Sequence, residues 1–180
     1  MSIDALLTFV RERDRTRYDV FAQQGAEPTE ADVGAFERHV GFAFTPDVRE
    51  LLLHSLGGLF VEASEAVWPR AVELEVGPSW TFLRGVQVFS LSPEAPDFLD
   101  MRRALDALRR EGVEGLVPVL RVLGDADRWC VDAHGRVVLW RHDEPDAPPE
   151  PAGVGLTDLL VRELAELDAR VERRLALGRG

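Results

Sequence analysis

The chain contains no lysine and no asparagine; all 21 of its basic residues are arginine. A GC-rich coding sequence is enough to explain both absences. The missing lysine still excludes chemistry: there is no Walker A lysine, no Schiff-base lysine and no lysine general base. Cysteine is nearly absent as well. The single thiol, Cys130, has no mate for an internal disulfide, so a reducing cytoplasm is the expected compartment. No apolar run approaches the roughly 20 residues that cross a bilayer. The N-terminus, Met1-Ser2-Ile3-Asp4-Ala5-Leu6-Leu7, lacks a basic lead and a cleavage-site pattern, so no secretory signal is expected.

Acids are plentiful. The formal net charge is −11, and residues 27–100 hold thirteen acids against four arginines. Such a surface repels nucleic acid and anionic membranes, and neither is an expected partner. It attracts a basic protein. The plain alternative is that acidity serves only solubility. At 180 residues and 46% hydrophobic content, the composition is that of an ordinary globular chain with a substantial core.

The most informative stretch runs from Pro28 to Gly58 and encodes two short helices. Thr29 is placed to N-cap the first, with Asp32 at the third helical position as in a capping box. Val33, Phe36 and Val40 recur at helical spacing, and Gly41 ends the run. Thr45-Pro46-Asp47 opens the second, with Thr45 as cap, Pro46 in the first turn and Asp47 at the positive end of the dipole. Val48, Leu51, Leu52 and Ser55 form its inward stripe, and Gly57-Gly58 stops it.

This pattern resembles the SUKH superfamily, the proteins of the fungal cell-wall-assembly-regulator type and their bacterial relatives, several of which are immunity proteins to contact-delivered toxins. The family's run is an acidic helix, a Gly-hydrophobic step, Leu-Pro, a Leu-rich helix and Asn-Gly-Gly. The matching residues are Glu30 to Gly41, Phe42 to Asp47, Leu51 to His54, and Ser55-Leu56-Gly57-Gly58. Thr45 stands where the family has Leu, and Leu56 where it has Asn. The C-terminal half follows the family order too: Gly115-Leu116-Val117-Pro118-Val119, then Gly124 to Asp132, a turn at Gly135, Val137 to Trp140 and a final amphipathic helix. The resemblance covers about Glu27 to the end and implies a central antiparallel sheet packed by helices.

The remaining segments read as follows. Residues 2–24 are expected to form one helix with Ile3, Leu6, Leu7, Val10, Tyr18 and Phe21 on its apolar side and Arg11, Arg13, Arg15 and Arg17 on a solvated side. The expected division is an N-terminal helical extension over 1–26 and a single SUKH-like domain over 27–180. A strand opens at Leu59-Phe60-Val61. Val72, Leu74 and Val76 alternate with Glu73 and Glu75 on a strand over 71–76. One or two short strands lie between Trp80 and Leu91. A helix runs from about Asp97 to Arg110 with Phe98, Met101, Leu105 and Leu108 inward. A meander follows, with strands Leu116–Val122, Arg128–Asp132 and Val137–Arg141 and turns at Gly124–Asp127 and Ala133–Arg136. After a Pro-rich loop, Thr157 caps a last helix with Leu160, Leu164, Leu167, Val171 and Leu175 inward. Helices, then consecutive strands, then a helix indicate an α+β fold with a mostly antiparallel sheet.

No reactive cluster emerges. His54 reads as a helix-end residue, His134 as a solvated turn residue, and His142 as a local partner of Asp143; their spacing matches no zinc pattern. Cys130 reads as a buried thiol. Asp125, Asp127 and Asp132 hint at calcium, but the loop lacks the glycine and final glutamate of an EF-hand, which makes turn chemistry the better reading. Gly153-Val154-Gly155 lacks the strand and third glycine of a dinucleotide site. Trp129 and Trp140, on adjacent strands, are expected to share a face, as core residues or as interface anchors. The expected function is therefore a non-enzymatic protein-binding module with no cofactor and no metal. In the immunity role that the resemblance suggests, it neutralises a cognate, basic toxin domain. A cytoplasmic scaffold or adaptor of the cell-wall-regulator type is the alternative, and an enzyme with an unrecognised site is the third class. From charge, the partner-binding candidates are Glu62, Glu65, Glu73 and Glu75, with Asp125 and Asp127 beside them. The sequence leaves the oligomeric state open.

Overall fold

The computed structural model describes residues 3–22, 26–69 and 79–177. Among them are five helices: α1 (Ile3–Arg11), α2 (Glu30–Val40), α3 (Pro46–Leu53), α4 (Met101–Arg110) and α5 (Leu156–Leu177). Seven strands, β1 (Tyr18–Phe21), β2 (Phe60–Ala63), β3 (Gly85–Val88), β4 (Leu116–Leu123), β5 (Arg128–Asp132), β6 (Val137–Trp140) and β7 (Glu150–Pro151), form one sheet. Each strand pairs antiparallel with the next in sequence. The fold is α+β, as the order of the elements in the sequence implies.

The helix predicted over residues 2–24 stops at Arg11. The Asp14 carboxylate accepts from the Thr16 backbone N–H at 2.8 Å and its hydroxyl at 2.7 Å, a local turn that competes with helix continuation. Beyond it the period is two. Tyr18 is buried, Asp19 exposed and Val20 half-buried on β1, an edge strand that pairs with β2. The N-terminal segment is thus a helix plus a strand of the same sheet, and Leu6, Val10 and Tyr18 join the large core. Arg13, expected on a solvated side, is buried. Its guanidinium lies between the Phe9 and Tyr18 rings, 5.0 and 4.8 Å from their centroids, and binds both oxygens of Asp168 on α5. A planar cation with a long apolar stem suits such a place.

The α2–α3 unit folds as its cap residues predict. Thr29 and Asp32 form a reciprocal capping box, and Gly41 ends α2 in the left-handed conformation, φ 85°. Pro46 occupies the first turn of α3. Two details differ. The Thr45 hydroxyl donates to the Asp47 carboxylate and makes no side-chain bond to the helix N–H groups. The helix ends at Leu53, so Ser55 lies outside it; the His54 ring nitrogen Nδ1 accepts from the Leu56 N–H at 3.2 Å. Arg49 on α3 bridges Glu37 and Glu30 on α2 and locks the pair together.

Of the strands expected between residues 59 and 91, β2 and β3 form, and a 3-10 turn at Ser79–Phe82 precedes β3. The strand predicted over 71–76 lies outside the described residues. Helix α4 starts at Met101, capped by Asp100, which accepts from the Arg102 N–H at 2.8 Å. Phe98 therefore precedes the helix and is 54% exposed, not inward. Pro118 sits in the central strand β4, where it has no N–H for the ladder, and the register shifts between Pro118 and Leu120. Gly124, φ 89°, turns the chain into β5. A Cβ there would overlap the Phe82 carbonyl oxygen, so only glycine fits. Helix α5 begins at Leu156, with Thr157 inside its first turn, and the Asp47 carboxylate takes the Leu156 N–H at 3.4 Å.

The sheet has two unlike faces. Val20, Val61, Val86, Val88, Leu120, Trp129, Val131 and Val137 face the large core, to which α1, α2, α3 and α5 contribute and which Met101 and Leu105 of α4 also join. Along α5, Leu156, Leu159, Leu160, Leu164, Leu167 and Val171 are buried at helical spacing. The other face carries a smaller cluster of Leu116, Cys130, Val138 and Trp140 with Leu108 of α4. Trp129 and Trp140 do not share a face. Trp129 pairs with Leu139 and Trp140 with Arg128, which puts the two rings on opposite sides of the sheet.

Candidate interaction surface

In a sequential antiparallel meander, the ends of β2, β4 and β6 and the starts of β1, β3, β5 and β7 lie at one end of the sheet. Glu62 is on β2 one residue before its end, Glu65 follows in the next turn, and Asp125 and Asp127 form the β4–β5 turn. The register Asp19, Glu62, Gly85, Leu123 across β1 to β4 brings these acids to the same end. Glu62 and Leu123 are two strand spacings apart, about 10 Å. Glu73 and Glu75 lie outside the described residues.

These acids differ in how far local structure occupies them. Glu62 faces Asp19 across the strands, a repulsive pairing that Arg84 relieves at 3.7 Å. The Asp125 carboxylate accepts from the Asp127 N–H at 3.0 Å, and Asp127 accepts from the His142 N–H at 2.9 Å. Arg128 donates to the carbonyls of Asp125, Ala126 and Asp127. Arg141 approaches Asp127 at 3.6 Å and binds Glu150 through two bonds, at 2.8 and 3.0 Å. Asp125 and Asp127 therefore do the turn chemistry expected of them. Among the described residues no three His, Cys, Asp or Glu side chains are placed to hold a metal ion. Glu65 is exposed and Glu62 half-buried.

The histidines and the thiol are placed as follows. His142 meets Glu111 at 3.4 Å rather than Asp143, with both side chains well exposed. His134 lines a polar groove of about 490 Å³ between the α4–β4 loop, the β5–β6 turn and the Pro145–Pro149 loop. In that groove Asp132 accepts from the N–H groups of His134 and Arg136 at 2.9 Å and from the Arg136 guanidinium. Burial alone would raise the Asp132 carboxyl, but these donors hold it below the usual carboxylate range. Cys130 is fully buried, and burial pushes its thiol well above the ordinary value, which removes nucleophilic character.

One surface feature was missed in the sequence. Phe21, Phe60 and Phe98 form a contiguous aromatic row, with Phe21 and Phe98 59% and 54% exposed. The available signal was the alternation Tyr18-Asp19-Val20-Phe21, which reads as a strand with Phe21 turned away from the core. No protein-family model, curated protein or solved structure matches this chain. Among the described residues no helix is long and apolar enough to cross a membrane.

Proposed function

We propose that this chain is a non-enzymatic protein-binding module of the SUKH type whose role is immunity-like: it binds a cognate basic toxin domain and blocks it. The carrying observation is the convergence of Glu62 on β2, Glu65 in the turn after it, and Asp125 and Asp127 in the β4–β5 turn onto one end of the sheet, with exposed Asp19 beside Glu62. A rim of this kind attracts a basic partner and orients its approach. The positions of the potential nucleophile and bases support the same reading. The thiol is buried and raised, His54 serves a backbone N–H, and the His142–Glu111 pair is exposed, while in the groove that Glu111 and His134 line the Asp132 carboxylate is taken up by the N–H groups of its own turn and by Arg136.

The test is to read the frames adjacent to this chain's gene and to co-express the chain with any neighbour that encodes a basic, toxin-like domain; neighbours with no such frame count against the immunity role. Cells carrying both survive, and a stable complex co-purifies. A complex that forms without any protection assigns the chain to the scaffold or adaptor role instead. Catalytic turnover that vanishes on changing one histidine or one acid would overturn the reading.

A further inference from the structure

The aromatic row is an apolar feature left open on the described surface. Phe21 and Phe60 are cross-strand neighbours on β1 and β2 with ring centroids 6.1 Å apart, and Phe98 meets Phe60 edge-on at 5.9 Å. They are on the face opposite the large core, because Val20 and Val61 beside them point inward. With Gly58, Pro96 and Glu94 they line a cavity of about 410 Å³. Three rings held by two strands and a turn form a rigid apolar seat of the sort that anchors a partner's side chain.

Charge selects the occupant. Glu94 is the charged residue lining the cavity among the described residues. One step along the same face, i−2 on β1 and i+2 on β2, stand exposed Asp19 and half-buried Glu62, the latter paired with Arg84, about 7 Å along the strands from Phe21 and Phe60. The seat therefore continues into the acidic end of the sheet. A second copy of the chain is a poor occupant. Each copy carries −11, and the open edge of β1 is blunted: Arg15 takes the Val20 carbonyl at 3.0 Å and the Tyr18 N–H bonds to the Asp14 carbonyl at 3.0 Å.

We propose that Phe21, Phe60 and Phe98 seat an apolar side chain carried on a positively charged protein segment, with Glu94 and Asp19 binding the flanking cations. This rests on the protein-binding reading and names the part of the surface that anchors the partner.

The experiment is a selection of displayed random 16-residue peptides against the full chain and against its Phe98→Asp, Glu94→Arg and Asp125→Ala/Asp127→Ala variants. Phe98 and Glu94 lie at the surface, and circular dichroism confirms that each bait is folded. Peptides enriched on the parent chain carry a net positive charge around an aromatic or aliphatic residue. A synthetic copy of one loses at least tenfold in affinity on Phe98→Asp, loses affinity on Glu94→Arg, and binds the turn variant unchanged. Enrichment of neutral or acidic peptides, or equal enrichment on the Phe98→Asp bait, overturns the seat. Basic peptides lost only on the turn variant leave protein binding standing and move the surface to the β4–β5 turn. No enrichment on any bait removes both, and concentration-dependent dimerisation abolished by Phe98→Asp assigns the row to self-association.

Discussion

Two glycines separate the two physical reasons for requiring that residue. Gly41 and Gly124 both have positive φ, 85° and 89°. Around Gly41 nothing lies within 4 Å of an added methyl, so Gly41→Ala meets only the left-handed backbone penalty, about 1 kcal/mol. At Gly124 the same methyl would run into a backbone oxygen of Phe82, which has no rotamer by which to withdraw. Gly124→Ala should cost at least twice as much, because the turn into β5 must shift. Urea denaturation of the two variants measures the difference. Equal midpoints would show that the 3-10 segment at Ser79–Phe82 yields without resistance. Arg13 teaches a related lesson at the scale of one side chain. Charge spacing puts it among solvated arginines, yet ring stacking on Phe9 and Tyr18 and the two-oxygen grip on Asp168 hold it inside.

The α2–α3 pair joins local signals to a pH response. Burial pushes the Glu37 carboxyl up, but the Arg49 guanidinium and the Phe44 N–H, at 2.8 Å, together hold it below its ordinary value of 4.5. A carboxyl depressed in the folded state contributes stability above the unfolded value, and that contribution is lost as pH falls through the folded value. Glu37→Gln should destabilise the protein by about 1–3 kcal/mol at neutral pH. The variant should lose less further stability than the parent below about pH 4.5. Denaturation midpoints from pH 3 to 7 check this, and parallel curves for the two proteins would exclude Glu37 as a contributor to acid unfolding. Elements of this kind were legible in the sequence because their information is local: a capping box, a proline in a first turn, a glycine stop, a two-residue alternation between turns. Thus α2, α3 and the β4–β6 meander follow from the residues alone. The β1 strand did not, since four residues after a helix carry both periods until a partner strand decides between them. The opposite faces of Trp129 and Trp140 depend on register, which only pairing fixes. The site divides in the same way. The acids were visible as composition and their shared end follows from the meander, whereas the Phe21–Phe60–Phe98 row joins residues far apart in sequence.

At the scale of the whole molecule, the proposed encounter has two separable parts. Residues 27–100 hold the surplus of acid, and the described acids that converge on one end of the sheet are partly matched by Arg84, Arg128 and Arg141. The resulting field is long-ranged and diffuse. Its main effect is on approach, where several kT over a broad surface raises association; in the bound complex Glu62, Asp125 and Asp127 already have arginine or backbone partners. The aromatic row acts only after contact, when water leaves the rings. Association of a basic partner should therefore slow by about tenfold or more from about 0.05 to 0.5 M salt, as the Debye length shrinks from over 10 Å to about 4 Å. Dissociation should change little over that range. Phe98→Asp should do the converse, accelerating dissociation at every salt concentration while leaving the salt slope of association steep. Stopped-flow association and dissociation rates for the parent and the variant separate the two. A salt-insensitive association rate would remove steering and leave the apolar seat as the whole of recognition. A variant that slows association without touching dissociation would place Phe98 in the encounter and not in the bound interface.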